Sequence, residues 1–253
     1  MMAIFSDYSS CYNLLYADKD YGAEADYVAR LIRKSNPEAS SILELGCGTG
    51  RHAQHFASHG FSVHGVDLSS EMIEVAQSNH KPSDREIVFE VGDVRSVRLG
   101  RRFDCVLSLF HVMSYQTSND DIRNAFLTAS EHTAPGGVFV FDCWYGPGVL
   151  TDPPAVRVKR VSSDELSVMR IAEPTVDSMA NVVQVDYSLH VQKMTPPSEK
   201  WISESHRMRY FFVPEIELML GEAGFMLRGV YRWMSDEPPT IDTWNAMIVA
   251  AKR

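Results

Sequence analysis

Glu44-Leu45-Gly46-Cys47-Gly48-Thr49-Gly50 decides the reading of this chain. It closes a short apolar run, Ser41-Ile42-Leu43-Glu44-Leu45, and opens a segment of helical character over about 51–59 that Gly60 can stop as a C-terminal cap. Glycine lets a backbone turn tightly and lets a ligand approach the main chain. A strand, a glycine loop and a helix in that order predict a site at the strand's carboxyl end.

Outward from the loop the same alternation repeats. Ser62–Asp67 reads as a second strand, and Ser69 or Ser70 can cap a helix reaching about Gln77 with Met72, Ile73 and Ala76 on one face. Further strands are expected at Ile87–Val91, Phe103–Leu109 and Val138–Asp142, with a helix over 119–133 ending before Pro135-Gly136-Gly137. Short apolar runs of this kind suit strands buried on both faces, and strands alternating with helices predict a mainly parallel, doubly wound α/β sheet. The pattern changes over about 144–212, where no helical period is visible. Val156–Val161, Val183–Val191 and Met208–Phe211 alternate apolar and polar residues, as half-exposed antiparallel strands do. A helix at about 214–223, with Pro214 in its first turn, and strands near 226–234 and 244–251 complete the sheet. The expected organisation is an N-terminal helical cap at 1–40, a core at 41–143 and 213–253, and an antiparallel β insertion at 144–212 that serves as a lid or a dimer contact.

The chain has 253 residues and a formal net charge of −9, a poor balance for binding a phosphate backbone, so no nucleic-acid partner is expected. The richest basic cluster, Arg95, Arg98, Arg101 and Arg102, has no interleaved aromatic residues to stack bases. Cys11, Cys47, Cys105 and Cys143 have no metal-ligand spacing and read as thiols in a reducing compartment. No metal site is expected. The first residues lack a charged and apolar leader, and no run is long enough for a membrane span. A cytoplasmic protein without membrane contact is the expectation.

The dinucleotide fingerprint needs glycine where this chain has Arg51. With glycines at 46, 48 and 50 and the acidic Glu44 before them, the loop instead resembles motif I of class I S-adenosylmethionine-dependent methyltransferases. Asp67, at the end of the second strand, stands where that family's acid takes the ribose hydroxyls. Leu68-Ser69-Ser70-Glu71-Met72 resembles its next segment, with Leu68 and Met72 as apolar walls for adenine. Gly92-Asp93-Val94 resembles its G-D pair, in which Asp93 meets the adenine amine and the Val94 N–H its ring nitrogen. Each segment has a plainer reading as well, as a turn, a cap or core packing. The resemblance implies S-adenosylmethionine as cofactor, a seven-stranded Rossmann-like sheet, and binding residues Glu44, Gly46, Gly48, Gly50, Asp67, Leu68, Met72, Asp93, Val94 and Leu109. A looser likeness around Tyr12–Glu24 points to small-molecule members, including N-methyltransferases of nucleotide-linked amino-deoxysugars. It implies that Tyr12 and Tyr21 close over the cofactor.

The sulfonium already activates the methyl group, so the protein must chiefly align a nucleophile. Candidate catalytic groups are His111 and Tyr115, just after the fourth strand. Asp142 and Trp144 end the fifth strand and either face the acceptor or cap it. A small-molecule acceptor bearing N or O is expected, with a homodimer as a further expectation. The alternatives are a cofactor-binding protein without turnover, an RNA methyltransferase and a nicotinamide oxidoreductase.

Overall fold

The computed structural model describes residues 9–80 and 85–253, with the side chains of Ser9, Ser10 and Tyr12 outside that description. Helices α1 (Ser9–Leu15) and α2 (Tyr21–Ser35) lead into β1 (Ser41–Leu45), α3 (Arg51–Ser58), β2 (Ser62–Asp67), α4 (Ser70–Asn79), β3 (Ile87–Val91) and β4 (Phe103–Ser108). A 3-10 turn at Val112–Tyr115, α5 (Asn119–His132) and β5 (Thr133–Tyr145) follow. The remaining elements are α6 (Gly146–Thr151), β6 (Arg157–Ser162), β7 (Leu166–Asp177), β8 (Val182–Met194), β9 (Pro197–Phe211), α7 (Val213–Glu222), β10 (Phe225–Arg232) and β11 (Asn245–Lys252).

The core sheet runs β3-β2-β1-β4-β5 in parallel, then adds β11 antiparallel to β5 and β10 antiparallel to β11. Successive residues feed opposite faces, as the pleat requires. Ile42, Cys105, Leu107, Val138 and Val140 join one core with α2 and α3, whereas Leu43, Leu45, Val106, Phe139 and Phe141 join the other with α5 and α7. This is the doubly wound α/β sheet expected from the runs of buried residues. The order reverses between β1 and β4, and in such sheets the crevice for a ligand opens beyond the strand ends at that reversal.

Local signals explain the helix starts. The Ser69 hydroxyl caps α4 by accepting the Met72 N–H at 3.2 Å, and Asp20 caps α2 by accepting the Ala23 N–H at 2.9 Å. Phe212 precedes α7, whose Glu215 accepts the Phe212 N–H at 2.9 Å.

Strands β6 to β9 form an antiparallel sheet, joined to β5 where Trp144 and Tyr145 run parallel to Tyr210 and Phe211. Its inner residues Val168, Leu189, Val191 and Ile202 pack on Cys11 and Leu15 of α1. Helix α1 therefore sits on these strands. Two local expectations need correction. The segment after 144 is not free of helix: Gly146-Pro147-Gly148 starts α6, too short to show a period, with proline in its first turn. β5 begins at Thr133 and not at Val138, because Pro135-Gly136-Gly137 forms an irregularity within the strand, with Gly136 at φ 76°.

Candidate active site

The glycine loop is tied to the sheet at its base. The N–H groups of Gly46 and Cys47 both donate to the Val66 carbonyl, at 2.8 and 2.9 Å. Gly46 has φ 81°, and a Cβ there would lie 2.5 Å from Val112 Cγ2, so any side chain strains the backbone and displaces Val112. Gly48 differs: its turn is also left-handed, at φ 54°, but a Cβ would meet nothing within 4 Å. That open side is where a ligand can approach the main chain. The Gly48 N–H donates to Asp67 Oδ2 at 2.9 Å, and the Ser69 N–H donates to Asp67 Oδ1 at 3.0 Å. Burial raises the Asp67 carboxyl above its usual range, against the lowering effect of these two donors.

Glu44 lies beneath the loop, buried. Its Oε1 is 3.7 Å from His52 Nδ1, and its Oε2 has no hydrogen-bond partner among the described residues. Burial, then the nearby Asp67 charge, pushes Glu44 up to about 8. His52 Nε2 meets Glu24 Oε2 at 2.8 Å, and Glu24 also pairs with Lys19. Burial raises Glu24, but hydrogen bonds from His52 and Lys19 outweigh it and hold the carboxyl low. The Lys19 ammonium lies over Phe110, 4.4 Å from the ring centre, with Tyr21 at 5.0 Å.

Beside this loop opens a cleft of about 300 Å³ at the strand ends. Its lining includes Tyr16, Glu24, Phe110, His111, Asp142 and Trp233. Phe110 and His111 both have φ 63°, a left-handed corner after β4. Asp142, fully buried on β5, secures it: the His111 N–H reaches both carboxylate oxygens at 3.1 and 3.2 Å. His111 Nδ1 lies 2.6 Å from Asp142 Oδ2, close but without hydrogen-bond geometry. Tyr115 takes another direction. Its phenol lies 2.9 Å from His206 Nδ1, and His206 Nε2 lies 2.9 Å from Glu204 Oε2 on β9. Burial raises the Tyr115 phenol well above its ordinary range.

The other expected residues divide. Leu68 is exposed beside Asp67, as is Val91 at the end of β3, and both offer apolar surface. Met72 is buried in the α4 packing, and Leu109 and Val94 belong to the two cores. Asp93 is engaged by Arg95 at 2.6 Å, and Arg95 also reaches Asp121 at 2.9 Å. Tyr21 is buried under the Arg51 guanidinium, 4.2 Å from the ring centre, and edge-on to His52. The Tyr12 side chain lies outside the described residues. Sequence reading did not find the Lys19–Glu24–His52 line, Trp233, or His206 and Glu204. Charged residues without a motif carry no local sign of what they meet across the fold.

These residues fit S-adenosylmethionine on an observation of the structure itself. Glu44 Oε2, four residues before Gly48 on the strand that feeds the loop, is a buried acceptor without a donor among the described residues, and an ammonium suits it. Exposed Leu68 and Val91 suit a flat ring. Among the described residues no group of three His, Cys, Asp or Glu side chains could hold a metal ion, and no helix is long and apolar enough to cross a membrane.

Comparison with known proteins agrees with this geometry. A family model described as a methyltransferase domain matches residues 42–137. The chain is 31% identical over 222 residues to dTDP-3-amino-3,4,6-trideoxy-alpha-D-glucopyranose N,N-dimethyltransferase of Streptomyces venezuelae, covering 86% of this chain and 90% of that one. It is 30% identical to dTDP-4-amino-2,3,4,6-tetradeoxy-D-glucose N,N-dimethyltransferase of Saccharopolyspora spinosa, covering 87% and 89%. The crystal structure of Streptomyces venezuelae DesVI matches with a TM-score of 0.81 at 28% identity, over 98% of this chain and 99% of that one.

Proposed function

This chain belongs to the S-adenosylmethionine-dependent methyltransferases, and on that premise we propose that its acceptor is the amino group of a nucleotide-linked deoxysugar. The observation that carries the proposal is the acidic lining of the cleft. Asp18, Glu24 and Asp142 all border it, beside His111 and one lysine that is already paired with Glu24. Carboxylates attract an amine, which enters as an ammonium, and they repel a carboxylate acceptor. The two relatives carry their amine at different sugar carbons, so the class and not the position transfers to this chain. The net charge of −9 disfavours RNA, and Arg51 in place of a third glycine disfavours a dinucleotide.

In this reading the loop Gly46–Gly50 and Glu44 hold the amino-acid end of the cofactor, Asp67 the ribose, and Leu68 with the Val94 N–H the adenine. When bound, the cofactor supplies a methyl group on a sulfonium, already activated for transfer. The chain supplies alignment. His111, its main-chain N–H held by Asp142, lines the cleft on the acceptor's side. Helix α1 and strands β7 to β9 form a lid that closes the cleft and excludes water. Tyr12 and Tyr21 are assigned to closing over the cofactor. Trp201, Val158 and Met194 are exposed on the outer face of the insertion, and this face is assigned to a second copy of the chain. The buried, uncrosslinked cysteines fit a reducing cytoplasm.

Mass spectrometry of a panel of dTDP-linked 3-amino and 4-amino deoxysugars, each with S-adenosylmethionine, tests the acceptor. A gain of one or two methyl groups on the amine is expected. Methylation confined to sugar hydroxyls or to RNA would overturn it.

A further inference from the structure

Glu44, buried beneath the glycine loop, meets its one ion-pair contact among the described residues from the wrong side. That contact is His52 of α3, whose Nδ1 lies 3.7 Å from Glu44 Oε1. The other ring nitrogen, Nε2, lies 2.8 Å from Glu24 Oε2. Glu24 is held low against its burial by hydrogen bonds from His52 and Lys19, so it is ionised and can only accept. His52 Nε2 therefore carries the hydrogen of that bond. Burial lowers His52 below its ordinary range, against the Glu24 bond, so the ring is neutral at neutral pH and Nδ1 is a lone pair. A lone pair opposite a carboxylate repels it, whereas a lone pair opposite a carboxyl O–H does not. Turning the ring to offer a donor would break the Glu24 bond, and Tyr21 packs edge-on against it with ring centres 4.9 Å apart. Glu44 Oε2 has no hydrogen-bond partner among the described residues, and Glu44 is 1% exposed. The other groups around it bring no cation. Asp67 from the end of β2 adds negative charge, and burial keeps the Cys47 thiol of the loop well above its ordinary range. Lys19 is paired with Glu24, Arg51 lies over Tyr21, and Asp142 of β5 adds negative charge on the side of His52. A carboxyl so placed keeps its proton, because an unpaired buried charge is costly.

We propose that cofactor capture is a proton exchange at Glu44: the carboxyl waits neutral beneath the loop, and it gives up one proton to solvent when the cofactor's ammonium is taken in. This rests on the reading that the Gly46–Gly50 loop and Glu44 hold the amino-acid end of the cofactor. The Glu44 O–H bond breaks, its electron pair stays on the oxygen, and the ammonium keeps its three N–H bonds. An opposite charge within about 4–6 Å favours an ionised carboxylate, so the exchange needs the ammonium at the loop and not a bond to either Glu44 oxygen. The exchange makes affinity depend on pH, with a definite sign. Glu44 holds its proton up to about pH 8 in the ligand-free chain, so a complex formed at lower pH must first remove it. Affinity should rise about tenfold per pH unit between about pH 6 and about pH 7.

Calorimetry of S-adenosylhomocysteine binding to the full chain, in pairs of buffers with different heats of ionisation, reads the exchange without turnover. About one proton released per ligand is expected in that range, with the matching slope in affinity. Glu44→Gln should bind with no release and no slope. Methylthioadenosine carries the nucleoside without the amino-acid end and should release nothing. Release seen with it would place the titration at Asp67, on the ribose side, and overturn the proposal. Tight S-adenosylhomocysteine binding without proton release, or release that persists in Glu44→Gln, would overturn it as well. The starting state has its own measurement. The infrared difference between ligand-free wild type and Glu44→Gln at neutral pH should show the carbonyl band of a neutral carboxyl, and a carboxylate band there overturns the exchange whatever binds. Failure to bind S-adenosylhomocysteine at all overturns the cofactor reading and the exchange with it, an outcome distinct from binding without a proton.

Discussion

A carboxylate shut away as completely as Glu44 titrates late, and that has a sign. Its folded-state value of about 8 lies above the ordinary 4.5, so an unfolded chain releases this proton at lower pH than the folded one. The group's contribution to stability is whole below the unfolded value and is lost as pH rises through about 8. The cofactor-free protein should therefore lose melting temperature between about pH 5 and about pH 8, and Glu44→Gln should flatten that slope. Calorimetry at several pH values checks it, and identical slopes would show that Glu44 is solvated. Asp67 makes the neighbouring case. Asp67→Ala should weaken cofactor binding by about 1–3 kcal/mol, the cost of leaving polar partners unpaired. Titration calorimetry measures the loss, and Asp67→Asn, which keeps an acceptor for the Gly48 N–H, should lose less. Both residues were legible in the sequence because a glycine loop and a strand end constrain what stands there. His206 was not legible, since its partner Tyr115 is 91 positions away and β9 shows only an alternation of exposed and buried residues.

The elements that present the site follow the same division. Strands β1 to β4 were readable because each is a short apolar run buried on two faces, and the corner after β4 was placed by the strand end alone. What the sequence did not carry was the left-handed turn at Phe110 and His111, two non-glycine residues held at φ 63° by Asp142 from another strand. Strand β7 was missed because Leu166–Asp177 includes Pro174 and two acidic residues and does not alternate cleanly. The β1 loop yields an element-scale prediction. Gly46→Ala places a methyl 2.5 Å from Val112 Cγ2 on a backbone at φ 81°, so the loop or the Val112 turn must move. The variant should lose cofactor binding and turnover at the same time, because the Val112–Tyr115 turn carries the acceptor side. Gly48→Ala, with open space at its Cβ, should keep the folded sheet, and it should lose cofactor affinity if that space receives the ligand. Circular dichroism with binding titrations separates the two variants. Equal effects of both on folding would refute this division of labour in the loop.

On the scale of the whole molecule, three lengths of chain meet at one cleft. The core brings His111 and Asp142, the turn after α1 brings Tyr16 and Lys19, and the antiparallel strands bring the Arg170 that holds Tyr16. Helix α1 buries Cys11 and Leu15 against those strands, so the N-terminal segment and the insertion should order together. A ligand that binds only the closed arrangement stabilises the chain by RT ln(1 + [L]/Kd), about 2.7 kcal/mol at a hundredfold excess over Kd. For a chain of this size each kcal/mol raises the melting temperature by roughly 2–4 °C, so S-adenosylmethionine should add about 5–11 °C. NAD at the same concentration should add nothing. Hydrogen exchange locates the gain. If the lid closes on the cofactor, protection should rise in α1 and in β7 to β9 as well as in the Gly46–Gly50 loop. Protection confined to the loop and the end of β2 would mean that the cofactor binds an open core, and that closure waits for the acceptor sugar. That outcome would move the lid's role from holding the cofactor to selecting the acceptor, and its next test would be the same exchange experiment with both ligands bound.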